Sequence, residues 1–224
     1  MSPLHGACMS FDSYDDYEQG ERIQQWLRQN GVSIIVGIVL GLLLIFGYQK
    51  WKSHRADHEA EAATLYEQVQ VALATNKSAE ADAGIDRLQT QFTDTTYAVF
   101  AAADRARVAA EANQLDKAQV ALDWAQAHAT DDAVKGLVQL RAAQVRLAAG
   151  HADQALSTLD TMPKGAYISL VQELRGDALV KLGRIDEARK AYQAAIASMD
   201  DSAPQRGVVK LKIDDLAVAG KQGA

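Results

Sequence analysis

The sequence predicts an all-α protein: a single N-terminal transmembrane helix, then a solenoid of repeated helix pairs, then a C-terminal capping helix. Three observations carry this. Of 224 residues 41 are Ala, the strongest helix former, and only 3 are Pro. Residues 29–49 contain no charge. Beyond residue 51 a set of turn and small residues recurs at near-constant spacing. The chain therefore divides into an acidic tail (1–28), a membrane helix (29–50) and a helical-repeat domain (51–224).

The tail precedes the first apolar residues of the span. Cys8 invites a lipoprotein reading, but Leu4-His5-Gly6-Ala7 supplies no apolar stretch before it. Met9 is an alternative start to Met1. A single Cys makes neither an intrachain disulfide nor a Cys-based zinc site. A net charge of −6 argues against a nucleic-acid partner bound through a broad basic face.

The uncharged run lies between Arg28 and Lys50. As a helix its 21 residues span about 31 Å, the thickness of a hydrocarbon core, so the lipid bilayer is the first expected partner. Trp26 precedes the run, and Tyr48 and Trp51 follow it, as expected for rings at both interfaces. A buried core helix would have a polar side, and a cleaved signal would have a small-residue site where Tyr48-Gln49-Lys50-Trp51 stands. Ser33, Gly37 and Gly41 form a small-residue stripe on which a partner helix could pack closely. Arg22 and Arg28 before the span stand against Lys50, Lys52 and Arg55 after it. That count leans toward a cytoplasmic C-terminal part, but long domains translocate regardless of such a bias.

The repeats follow. Gly176, Gly183, Ile185, Ala188 and Tyr192 give, in order, a small residue, a tight turn and an apolar helix face. Ala143, Gly150, Ala152, Ala155 and Leu159 repeat the order, as do Ala106, Asn113, Leu115, Ala118 and Leu122. A degenerate first pair retains Asn76, Ala81 and Ile85. The turn residues Asn76, Asn113, Gly150 and Gly183 are 37, 37 and 33 residues apart, near the period of about 34 of the tetratricopeptide repeat (TPR). Gly, and next Asn, tolerates the left-handed backbone of such a turn. Stacked pairs are expected to share one continuous core, because no pair buries its apolar face alone. The segment from Ala203-Pro204 to Ala219 caps the open end, with Val208, Leu211, Ile213 and Leu216 as its apolar face.

No catalytic constellation is present: the sequence has no glycine-rich phosphate loop and no GxSxG, and no cofactor is expected. His54 and His58 share a helix face but lack a third ligand, so they read as a solvated face next to the membrane. His128 and His151 sit near helix ends, and Asp131-Asp132 and Asp200-Asp201 read as helix-start and loop charges. A helical solenoid without chemistry is a binding surface. The first helix of each pair is expected to line its groove with Arg107, Glu111, Leu140, Gln144, Leu147, Glu173, Asp177 and Lys181. Two Arg/Lys residues among these mixed and apolar side chains are too few to clamp acidic peptide C-termini, and the mixture suits extended, variable polypeptide.

Particular stretches carry a family resemblance: Tyr14-Asp15-Asp16, Asn30-Gly31, Val36-Gly37, Leu40-Gly41, Trp51-Lys52-Ser53-His54, Thr96-Tyr97 and Thr158-Leu159-Asp160. The most specific are Leu174-Arg175-Gly176-Asp177-Ala178-Leu179 and Leu211-Lys212-Ile213-Asp214-Asp215-Leu216. From Tyr14 onward the chain resembles the YfgM family, the ancillary subunit of the bacterial SecYEG translocon. The resemblance implies a cytoplasmic tail, one inner-membrane helix and a periplasmic TPR-like α-solenoid. It implies SecYEG and a PpiD-like membrane-anchored chaperone as partners, and a role in passing emerging secretory polypeptides to periplasmic chaperones. The implied orientation opposes the charge count. The other reading of the solenoid is an envelope scaffold holding one defined protein.

Overall fold

The computed structural model describes residues 15–163, 165 and 167–222. Residues 1–14, with the Met1 and Met9 alternatives, Cys8 and Tyr14, lie outside the described residues. Among the described residues there are nine helices and no strand: α1 (Asp15–Ala74), α2 (Ser78–Gln91), α3 (Thr96–Glu111), α4 (Leu115–His128), α5 (Asp132–Ala148), α6 (Ala152–Asp160), α7 (Ile168–Lys181), α8 (Ile185–Ala197) and α9 (Gln205–Gln222). The chain forms two compact units divided between Asp57 and His58.

The first unit is the helical stretch of α1 up to Asp57. Val32, Ile35, Ile38, Leu43 and Leu44 lie at different angles around it, and each is more than half exposed. A helix apolar on every side belongs in lipid, and this is the described helix long and apolar enough to cross a membrane. Trp26, Tyr48 and Trp51 are exposed at its two ends. The Arg55 guanidinium lies 5.9 Å from the centre of the Trp51 ring.

The second unit is the solenoid. The end of α1 pairs with α2, α3 with α4, α5 with α6 and α7 with α8. The first helices are also neighbours along the stack, α3 on α5 and α5 on α7. Four near-identical turns produce this regularity. Asn76, Asn113, Gly150 and Gly183 all take positive φ, at 57°, 57°, 85° and 73°. In each turn the following amide reaches back five residues: Lys77 to Ala72, Gln114 to Ala109, His151 to Arg146 and Arg184 to Leu179, at 2.8–2.9 Å. This Schellman closure satisfies carbonyls that the helix end would otherwise orphan.

Five residues past each turn stands an Ala with at most 1% exposure: Ala81, Ala118, Ala155 and Ala188. Seven residues before each turn stand Val69, Ala106, Ala143 and Gly176. The fourth pair sets a large Tyr192 against Gly176, where a Cβ would meet the ring. The first pair reverses the arrangement. There Val69 is the large member, and Gly84 on α2 makes room, since a Cβ at Gly84 would lie 2.5 Å from Val69 Cγ2. Close helix approach is thus kept in the degenerate pair by moving the small residue to the other helix.

The core departs from expectation in one respect. It is segmented along the stack into three clusters, centred on Val69 and Ile85, on Ala106 and Leu122, and on Ala155 and Tyr192. Trp124 packs against both the first and the second. Alanine-rich helices supply few side chains long enough to bridge successive pairs, so each cluster is closed mainly by its neighbours.

The cap also differs. Helix α9 begins at Gln205, immediately after Pro204, and packs on α8. Its inward face is Val209, Ile213 and Leu216, whereas Val208 and Leu211 are 52% and 65% exposed. Lys212 lies on the same side as Val209 and Leu216 and reaches Glu173 and Asp177 on α7. Burying that side turns Val208 and Leu211 outward.

Candidate functional site

An apolar groove of the solenoid lies between α1, α3 and α5, with a volume of about 530 Å³. Phe100 on α3 and Leu137 on α5 form its apolar walls, with Ala103, Ala110 and Ala148 leaving the space between them. Asp104 anchors its polar part. This carboxylate accepts from the Tyr66 hydroxyl at 2.9 Å and from the Gln70 amide at 2.5 Å, and Arg107 approaches it at 3.6 Å. Arg107 also donates to Glu111 at 2.9 Å. That hydrogen bond is the main cause holding the Arg107 pKa above its ordinary value.

Of the eight residues expected in the groove, Arg107, Glu111 and Gln144 line it. The other five lie elsewhere. Leu140 is 3% exposed and belongs to the core between α5 and α7, and Leu147 packs against the same core. Glu173 and Asp177 face the cap, where Lys212 Nζ sits 2.8 Å from each carboxylate. Lys181 is exposed at the end of α7, outside the lining. The stripe on α5 runs through Leu137, Arg141, Gln144 and Ala148, not through Leu140, Gln144 and Leu147. At about 100° per residue the two stripes share Gln144 and diverge to opposite sides of it. Spacing alone cannot choose between them.

At the far end of the solenoid Lys212 lies over the Tyr192 ring, 5.7 Å from its centre, and Tyr192 donates to Asp177 at 2.7 Å. Burial works against the Lys212 charge, but hydrogen bonds from its ammonium to Asp177 and Glu173 outweigh it and raise its pKa. Burial, then the bond to Asp177, raises the Tyr192 pKa. These contacts close the end of the stack and leave its carboxylates engaged.

His58 departs from a plain solvated face. Its ring packs 4.7 Å from that of Phe92, and Nε2 lies 3.0 Å from Asp94 Oδ1. His128 stacks on Trp124 at 3.9 Å. Asp131 caps α5 by accepting from the amides of Ala133 and Val134 at 2.9 and 3.0 Å. Among the described residues no group of three His, Cys, Asp or Glu is placed to hold a metal. In the span, nothing lies within 4 Å of a Cβ built on Gly37 or Gly41, and Ser33 is exposed.

A family model described as a tetratricopeptide repeat-like domain matches residues 24–218. The chain belongs to the tetratricopeptide repeat-like domain family. Its relatives within reach of sequence comparison share almost their entire length with it. A protein of Escherichia coli strain K12 is 28% identical over 204 residues, covering 91% of this chain and 98% of the relative. One from Haemophilus influenzae is also 28% identical with the same coverage, and one from Neisseria gonorrhoeae is 24% identical, covering 90% and 97%. Each of these relatives is named an ancillary SecYEG translocon subunit. The matched region takes in the apolar helix as well as the tetratricopeptide repeat-like solenoid.

Proposed function

We propose that this chain is an ancillary subunit of the SecYEG translocon, anchored by residues 29–50 in the bacterial inner membrane. Its N-terminus lies in the cytoplasm and its solenoid in the periplasm. The span docks on a partner helix through Ser33, Gly37 and Gly41, and the groove between α1, α3 and α5 receives emerging secretory polypeptide for transfer to periplasmic chaperones. A PpiD-like membrane-anchored chaperone is its second partner. The observation that carries the reading is the joint one: full-length similarity to proteins named as translocon subunits, in a chain that combines one apolar helix with a mixed groove. The role is binding, not catalysis.

Photocrosslinking from Gln144 tests the groove. Adducts with many unrelated secretory chains support transfer, and one discrete adduct supports the scaffold reading instead. SecY is expected to co-purify in mild detergent at native expression levels, and its absence would overturn the proposal. Protease added to spheroplasts is expected to digest the solenoid, and protection would reverse the orientation. Gly37→Leu combined with Gly41→Leu is expected to reduce recovery of the complex while membrane insertion persists.

A further inference from the structure

We propose that the helix flank at the C-terminal end of the membrane span, from Tyr48 to Arg55, binds the headgroup of an anionic phospholipid. Lys52 and Arg55 take its phosphate, and Tyr48 and Trp51 pack beside its glycerol. This rests on the reading of residues 29–50 as a membrane span.

Position along the helix sets the depth of each charge. The uncharged run ends at Gln49. At 1.5 Å per residue Lys50 and Lys52 follow it within about 5 Å, inside a headgroup layer about 5–7 Å thick. Arg55 starts about 9 Å from Gln49. Its guanidinium nevertheless lies 5.9 Å from the centre of the ring of Trp51, a residue of that layer. The carboxylates of Asp57, Glu59 and Glu61 belong to residues about 12 Å or more from Gln49, past the layer. The headgroups on this side therefore meet cations first.

The two ends of the span differ in this respect. Within about 9 Å of Gln29 on the other side Arg28 is the one charged residue. Beyond it Asp15, Asp16, Glu18 and Glu21 outnumber Arg22. Charge thus selects the C-terminal flank and a negative headgroup, because a zwitterionic one would bring its own cation beside these.

Direction around the helix gathers the site. At about 100° per residue Trp51, Arg55, Tyr48 and Lys52 fall within one sector about 100° wide, while Lys50 projects from another side. Glu59 shares the sector but stands a full turn beyond Arg55. The Tyr48 and Trp51 rings are 6.2 Å apart, and both are exposed. Lys52 is exposed and makes no hydrogen bond or ion pair to a described residue. A guanidinium presents paired N–H donors to phosphate oxygens, Lys adds a point charge, and amphipathic rings settle at the glycerol level.

The test uses the full chain in dodecyl maltoside micelles with equal amounts of phosphatidylglycerol and phosphatidylcholine of the same acyl chains, so that the lipids differ in the headgroup alone. Native mass spectrometry counts the lipid retained. The anionic lipid is expected to be retained about 10-fold more. Lys52→Gln combined with Arg55→Gln should bring the two lipids within about 2-fold, and the charge-preserving pair Lys52→Arg and Arg55→Lys should keep the preference. Arg28→Gln should leave it unchanged. Equal retention by the unaltered chain, a preference that survives the double Gln variant, or its loss on Arg28→Gln would overturn the proposal. Displacement of the lipid by millimolar glycerol 3-phosphate would assign the flank to free phosphate and also overturn it. The underlying span reading fails separately, by release of the chain from membranes in alkaline carbonate.

Discussion

Tyr192 occupies the space that a side chain at Gly176 would need: a Cβ there would stand 2.8 Å from Tyr192 Cζ and closer still to two other ring atoms. The ring cannot swing away freely, because its hydroxyl donates to Asp177 at 2.7 Å and Lys212 lies over its face. Gly176→Ala is therefore expected to destabilise the solenoid by about 1–3 kcal/mol, despite the better helix propensity of Ala. Adding Tyr192→Leu should recover part of that loss. Urea unfolding of the full chain in detergent, followed by circular dichroism, measures both.

Gly84 and Val69 make the same bargain with the roles exchanged. Gly84→Ala should cost about 1–3 kcal/mol from overpacking. Val69→Ala alone should also destabilise, by opening a cavity. The double variant should be more stable than the sum of the two losses predicts, because each change removes the other's conflict. A double-mutant cycle by thermal unfolding reads the coupling directly.

Asn113 holds φ at 57° in a turn whose backbone bonds are the same as those at Gly150 and Gly183. Asn113→Ala should lose about 1–2 kcal/mol to left-handed strain. Asn113→Gly should be neutral or slightly stabilising, since Gly takes this conformation without a Cβ clash. The order Gly, Asn, Ala in melting temperature is the expected outcome.

The cap contacts are expected to weaken in alkali. Lys212 has a pKa raised above 10.5, and Tyr192 one raised above 10.0. Both hold their protons more tightly when folded, so their contribution is complete below the unfolded-state values and is lost as pH rises through the folded ones. The stability advantage of the unaltered chain over Lys212→Met should stay constant from about pH 8 to about pH 10 and shrink above that. Melting curves of the two proteins across this range test the sign.

The rotation of α9 distinguishes two neighbouring valines. Val209 is fully buried and Val208 is 52% exposed. Val209→Asp should undock the cap, exposing the end of α7 and α8 to proteolysis, because a buried unpaired carboxylate is costly. Val208→Asp should leave the protease pattern unchanged.

The sequence was informative wherever a residue acts on its own backbone or on a neighbour a few positions away. Asn76, Asn113, Gly150 and Gly183 announced four turns, and all four have the left-handed φ that those residue types tolerate. The missing charges from residue 29 to residue 49 likewise marked the helix that is apolar all round. The groove was less legible. Arg107, Glu111 and Gln144 could be projected onto it, but Leu140 and Leu147 turn into the core and Glu173 and Asp177 turn to the cap. Arg141, which also lines the groove, was not among the residues expected there.

The sequence by itself determined the helices, their turns and the small residues that let them approach, because these follow from φ preferences and apolar period. Only the tertiary structure decided which face of each helix points where. A rotation of about 60° separates Leu140 from Leu137 in the groove, and one of about 100° separates Val208 from the buried Val209, no more than the width of an apolar helix face. Those rotations are set by what packs on the other side: by Tyr192 over Gly176, by Val69 in the space at Gly84, and by Lys212 drawn onto Asp177 and Glu173.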